Sequence, residues 1–166
     1  KEPSIINVTH PDTYPLLRDL YGDLCEAFPA PVMYVSGDEA IAIGRSKSKP
    51  VLDKVGAENL FLRHVKILRD FLKDKGKRMA LACDPFEPEF FKAFGLQNYG
   101  IEALQKLPKD VIIGPWHYGK MTEYPFGKQL MEMGYDSYYW TSNQAFCRLY
   151  PAQINGAVNV ETFLPF

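Results

Sequence analysis

Asp38 and Glu39 stand side by side where a short apolar run, Val32-Met33-Tyr34-Val35, ends in Ser36-Gly37. Two adjacent carboxylates can divide acid and base work between them. Held close, they cannot both ionise cheaply, so one can keep its proton near neutral pH and act as an acid. Side chains alternate in direction along a strand. Neighbours therefore converge on one site only where the strand stops and the backbone turns. Gly37 supplies the freedom for that turn. The segment thus reads as a strand that delivers a carboxylate pair at its C-terminal mouth. A solvated corner without chemistry is the plain alternative for any Gly-Asp-Glu.

Chemistry-bearing residues close three further apolar runs. Asp84 follows 78–83, Trp116-His117-Tyr118 follows 111–114, and Trp140 with Thr141-Ser142-Asn143 closes 137–141. Aromatic faces stack on the apolar faces of pyranose rings, while carboxylates bind hydroxyls and perform acid catalysis. The mixture points to a sugar. Each residue also has an ordinary role open to it. Trp116 and Trp140 could pack a rim, Asp84 could cap a helix near Glu87, and Tyr118 could be a surface tyrosine.

Helical spacing runs between these strands. The residues Leu17, Leu20, Tyr21, Leu24 and Phe28 predict a helix over 14–28, with Asp12 or Thr13 as cap and Pro15 in its first turn. Phe61, Val65, Leu68 and Leu72 predict a longer one over 57–75, ending at Gly76. Shorter helices are expected over 87–94, 100–107 and 125–133, and the polar stretch 44–50 reads as a loop. Strands alternating with helices pair in parallel through right-handed crossovers. Their carboxyl ends are where α/β enzymes place their chemistry.

Composition narrows the classes. A chain of 166 residues with 46% hydrophobic and 14% aromatic residues can bury a core. The net charge of −1, with scattered Lys and Arg, leaves no electrostatic footprint for nucleic acid. No apolar run approaches the roughly 20 residues that cross a membrane. The three cysteines and three histidines are too scattered for a disulfide framework or a metal site. Buried packing is expected for the cysteines, and a core or boundary place for His64. No cofactor is implied. The first residue is not Met and no leader-like segment follows it, so the location stays open and a mature, trimmed or internal piece is expected.

The string FPAPVMYVSGDEA resembles the strand carrying the paired Asp-Glu of glycoside hydrolase family 20, the β-N-acetylhexosaminidases, whose pattern is close to His-x-Gly-Gly-Asp-Glu. NVTHPDTYPLLRDLYGDLCEAFP is similar to the helix leading into that strand. GDEAIAIGRSKSK and LFLRHVKILRDFLKDKGKRM resemble the hexosaminidase D-like branch, and LPKDVIIGPWHYG resembles a later strand with its Trp-x-Tyr ending. The likeness runs from about Asn7 to Pro151. It implies that Glu39 is the general acid and then the base, and that Asp38 orients the substrate's own 2-acetamido group. That group's carbonyl oxygen attacks the anomeric carbon. Trp116, Trp140, Tyr118 and Asp84 are the implied substrate-binding residues, and the implied partner is a terminal N-acetylhexosaminide. Three positions depart from the pattern: Tyr34 replaces His, Ser36 replaces the first Gly, and Ala82 stands where a Trp precedes the Asp.

By the same resemblance, residues 1–166 form a single partial α/β domain of parallel (β/α) repeats, about half of a (β/α)8 TIM barrel. Its strands would be the fourth to seventh, and the rest of the barrel is expected from a longer parent chain, because four parallel strands cannot close on themselves. Two other readings stay open: a catalytically weak carbohydrate-binding homologue on the same scaffold, and a small open-sheet α/β domain binding a divalent cation such as Mg²⁺ at Asp38 and Glu39.

Overall fold

The computed structural model describes residues 5–40, 43, 46–88, 99–118, 122–141, 157–158 and 161–162. In chain order the elements are α1 (Thr13–Ala27), β1 (Val32–Tyr34), a 3₁₀ turn (Ser46–Ser48), α2 (Lys49–Val55) and α3 (Ala57–Asp74). β2 (Arg78–Ala82), α4 (Gly100–Gln105), β3 (Ile112–Gly114) and α5 (Pro125–Glu132) follow. Most of the helix expected over 87–94 lies outside the described residues. Among those described, no helix is long and apolar enough to cross a membrane.

Among the described residues, three strands are parallel and lie in the order β1-β2-β3. Tyr34 pairs with Ala80, and Ala80 with Ile112. Among the described strands sequence order is thus kept, without the reversal that marks a doubly wound fold. The pairing runs slightly past β1, since Val35 N–H donates to Ala80 O at 3.0 Å and Ala82 N–H to Ser36 O at 3.0 Å. β2 is buried on both faces beyond Arg78, as a central parallel strand must be. On one face, Met79 and Leu81 join Leu60, Phe61, Val65, Leu68 and Leu72 of α3 in the core. On the other, Ala80, Ala82 and Gly114 are small, and the Trp140 ring lies over Gly114.

The expected fourth strand over 137–141 is realised only as two isolated parallel bridges, Ile113 with Ser137 and Trp116 with Trp140. Pro115 is the physical reason. Ile113 N–H donates to Asp136 O at 2.9 Å, Tyr138 N–H to Ile113 O at 3.0 Å, and Trp140 N–H to Pro115 O at 3.0 Å. The rung between the last two needs an N–H at 115, which proline lacks.

Two further expectations change. Of the stretch read as a loop over 44–50, residues 46–48 form a 3₁₀ turn and 49–50 open α2, with Pro50 in the helix's opening positions, where its missing N–H costs nothing, while 44 and 45 lie outside the described residues. The apolar stripe of α1 is only partly covered. Leu17, Tyr21 and Cys25 pack against the core, whereas Leu20 and Phe28 are more than half exposed. His64 behaves as expected of a boundary residue, half-buried with Tyr14 OH 3.4 Å from its Nδ1. Burial lowers its pKa to about 4.

Candidate active site at the strand ends

The chain leaves β1 through an uncommon backbone path. Ser36, Gly37 and Glu39 all have positive φ, at 66°, 91° and 51°. Gly37 is required twice over. Its φ suits glycine, and a Cβ there would lie 2.5 Å from Cδ1 of Leu81. The turn therefore sits directly on the core. Ser36 Oγ donates a hydrogen bond to Asp38 Oδ1, which steadies the first carboxylate from within the turn. The expectation that Gly37 enables a turn beneath the carboxylates is met in this backbone.

Asp38, Tyr34, Trp116, Tyr118 and Trp140 line one cavity of about 230 Å³ at the C-terminal ends of the strands. The rings support one another. Tyr34 meets Trp140 edge-on with centroids 4.4 Å apart, Trp116 lies 5.5 Å from Tyr118, and Tyr138 backs Trp140 at 5.8 Å. Gly114 makes room for Trp140, whose ring atoms would lie 3.2 Å from an added Cβ. Tyr34 is thus part of the aromatic wall. Burial and the neighbouring Asp38 raise its phenol pKa. Glu39 is exposed beside the cavity and is not among the residues lining it.

Asp84 is placed differently from a surface contact. It is fully buried at the end of β2, beneath the cavity rather than in its lining. Its Oδ2 accepts from the backbone N–H of Glu39 at 2.7 Å, and its Oδ1 from Nε1–H of Trp116 at 2.9 Å. Burial pushes its pKa up to about 6, and the two hydrogen bonds pull the other way.

Sequence reasoning missed a second buried group next to it. Glu87 accepts from Tyr124 OH at 3.1 Å and lies 3.0 Å from Nε2 of His117, while Sγ of Cys83 lies 3.4 Å from the same carboxylate. These contacts tie the segment after β3 to the segment after β2 and so help to seat Trp116. Cys83 and Glu87 share the i, i+4 spacing, but nothing in the sequence links them to residues 117 and 124. Burial and the nearby Glu87 raise the Cys83 thiol pKa well above the usual range. Among the described residues, no three His, Cys, Asp or Glu side chains group as metal ligands.

Parallel strands in sequence order, with helices packed against them and the candidate site at their carboxyl ends, define an α/β unit. No protein-family model matches the chain, and no curated protein sequence matches it. Solved structures do share its fold. The GH20 exo-β-N-acetylglucosaminidase from Vibrio harveyi in complex with N-acetylglucosamine superposes with a TM-score of 0.58 at 18% identity, over 85% of this chain. An inactive mutant of the Vibrio enzyme gives 0.56 at 17% identity over 85% of the chain. The β-N-acetylhexosaminidase from Bacteroides fragilis gives 0.54 at 19% identity over 80%. The chain spans only 20%, 20% and 24% of those three chains, respectively.

Proposed function

We propose that this chain carries the acid/base end of a glycosidase that removes a terminal N-acetylhexosamine with help from the substrate's acetamido group. The observation carrying this reading is the carboxylate pair on a strand-end turn beside an aromatic-lined cavity, with Asp38 in the lining. Glu39 protonates the departing glycosidic oxygen and then activates water. Asp38 holds the acetamido nitrogen so that the carbonyl oxygen attacks the anomeric carbon. Trp116, Trp140 and Tyr118 offer faces for the pyranose ring. A volume of about 230 Å³ is below the roughly 300 Å³ at which drug-sized pockets begin, which suits one terminal ring. Likeness of fold to N-acetylhexosaminidases adds to this reading.

The four parallel segments are read as the fourth to seventh strands of a (β/α)8 barrel. Tyr34 and Val32 on β1, the strand with no outer neighbour among the described residues, are part-exposed, as expected of a strand awaiting a partner.

The test is Glu39→Gln in the full-length protein, assayed on an aryl N-acetylglucosaminide. Loss of an acid/base group should lower turnover by roughly 10² to 10⁴ with binding retained. Unchanged turnover would end the assignment. One observation favours a second reading, a sugar-binding homologue without catalysis: Glu39 lies outside the cavity lining that Asp38 helps to form. That reading expects calorimetric binding of N-acetylglucosamine and no hydrolysis of any N-acetylhexosaminide.

A further inference from the structure

We propose that Asp84 is a positioning residue that clamps the Glu39 turn and the Trp116 ring to one another from below. The inference rests on the reading of Glu39 as proton donor and Trp116 as sugar platform.

Three observations carry it. First, Asp84 closes the central strand of the sheet, so its carboxylate reaches both neighbouring strand ends, and it engages one with each oxygen. Second, each bond fixes a group at the site. Glu39 is a non-glycine residue at φ 51°, a conformation that L-residues leave readily unless held. Its N–H lies past the last rung of β1 and finds its acceptor in Asp84. The bond to Nε1 of Trp116, a ring that also lies 5.5 Å from Tyr118, ties the plane in which its face meets the cavity to the end of β2. Third, the carboxylate is fully buried and carries no contact to the cavity, so it works through the two groups it holds. An ionised acceptor makes stronger bonds than a neutral one and can accept from both sides at once. The consequence is geometric. The distance between the backbone that carries the proton donor and the ring that seats the sugar is set by one carboxylate, not by two independent segments.

Asp84→Asn is the discriminating change. An amide has one acceptor oxygen and turns its NH₂ against the other donor, so one side of the clamp must open. The expected result is a 10- to 100-fold fall in kcat on an aryl N-acetylglucosaminide with KM changed less than about threefold. Trp116→Phe removes the indole donor. In the double variant the remaining amide oxygen can face Glu39 undisturbed, so the combined loss should be about tenfold smaller than the product of the single losses. A readout independent of activity comes from the indole ¹H–¹⁵N resonances, of which the chain has two. Asp84→Asn should move that of Trp116 upfield by more than that of Trp140. If the variant fails to fold, hydrogen exchange of the Glu39 amide in the unmodified protein decides, since a clamped amide is protected and an open one is not. Wild-type kcat and an unmoved Trp116 resonance in Asp84→Asn, or an unprotected Glu39 amide, would overturn the clamp. Full turnover in Glu39→Gln would instead overturn the catalytic reading, and the resonance and exchange results would still report on the clamp.

Discussion

Gly37→Ala tests the claim that the carboxylate turn is built directly on the core. Two separate costs are expected. A Cβ at φ 91° brings left-handed strain of roughly 1–2 kcal/mol. The same atom would lie 2.5 Å from Cδ1 of Leu81, a side chain only 1% exposed in a packed core, and 3.7 Å from Cζ of Phe61, so relief requires the core to give. Overpacking of this kind costs roughly 1–3 kcal/mol. The total, roughly 2–5 kcal/mol, is a large share of the 5–15 kcal/mol that holds a typical domain together. Gly76→Ala isolates the first cost, because Gly76 has φ 72° and nothing within 4 Å of an added Cβ. Urea denaturation measures both. At an m-value of roughly 2 kcal/mol/M, Gly37→Ala should move the midpoint down by about 1–2.5 M, and Gly76→Ala by less than about 1 M. Leu81→Val deletes the clashing atom, so in its background the excess cost of Gly37→Ala should shrink to that of Gly76→Ala. Equal midpoints for the two glycine variants would refute the reasoning.

Two further expectations concern residues away from the carboxylates. Gly114→Ala should disturb Trp140, because the new Cβ would stand 3.2 Å from two of its ring atoms and 3.3 Å from Leu81 O. A shifted Trp140 indole resonance with a stability loss of roughly 1–3 kcal/mol is expected, and no change in either would show that the ring does not rest there. His64 should titrate near pH 4 by NMR, well below its unfolded value of about 6.5. The folded state then binds fewer protons between those values, so the stability His64 contributes is complete above pH 6.5 and falls as pH drops through 4, by about 3 kcal/mol in all. A midpoint above 6 would contradict its burial.

Much of the fold was legible because it is written in local periodicity. The stripe Phe61, Val65, Leu68 and Leu72 marks α3 and its buried face without reference to anything distant. The apolar runs before Asp84 and Trp116 became β2 and β3, and Pro115 carried in advance the reason why the next pairing breaks. Less legible was α2, whose polar opening at Ser48-Lys49-Pro50 has no apolar spacing to announce it. The extent to which α1 is covered was also hidden, because coverage depends on what lies across from it.

For the candidate site the division follows sequence distance. Alternation along a strand and a glycine at its end are local facts, and they alone determine that Asp38 and Glu39 emerge together at a turn. The sequence by itself also determined that aromatics close the neighbouring strands. It could not decide which of these groups face the cavity and which support it from beneath. Asp84 lies 45 residues from Glu39 and 32 from Trp116, and only the register of three parallel strands brings its two oxygens between them. The same holds for Glu87 and His117, 30 residues apart. Local sequence sets the conformations of turns and strands. Which strand ends become neighbours is fixed by sheet pairing and by burial of a shared core, and those are properties of the folded chain.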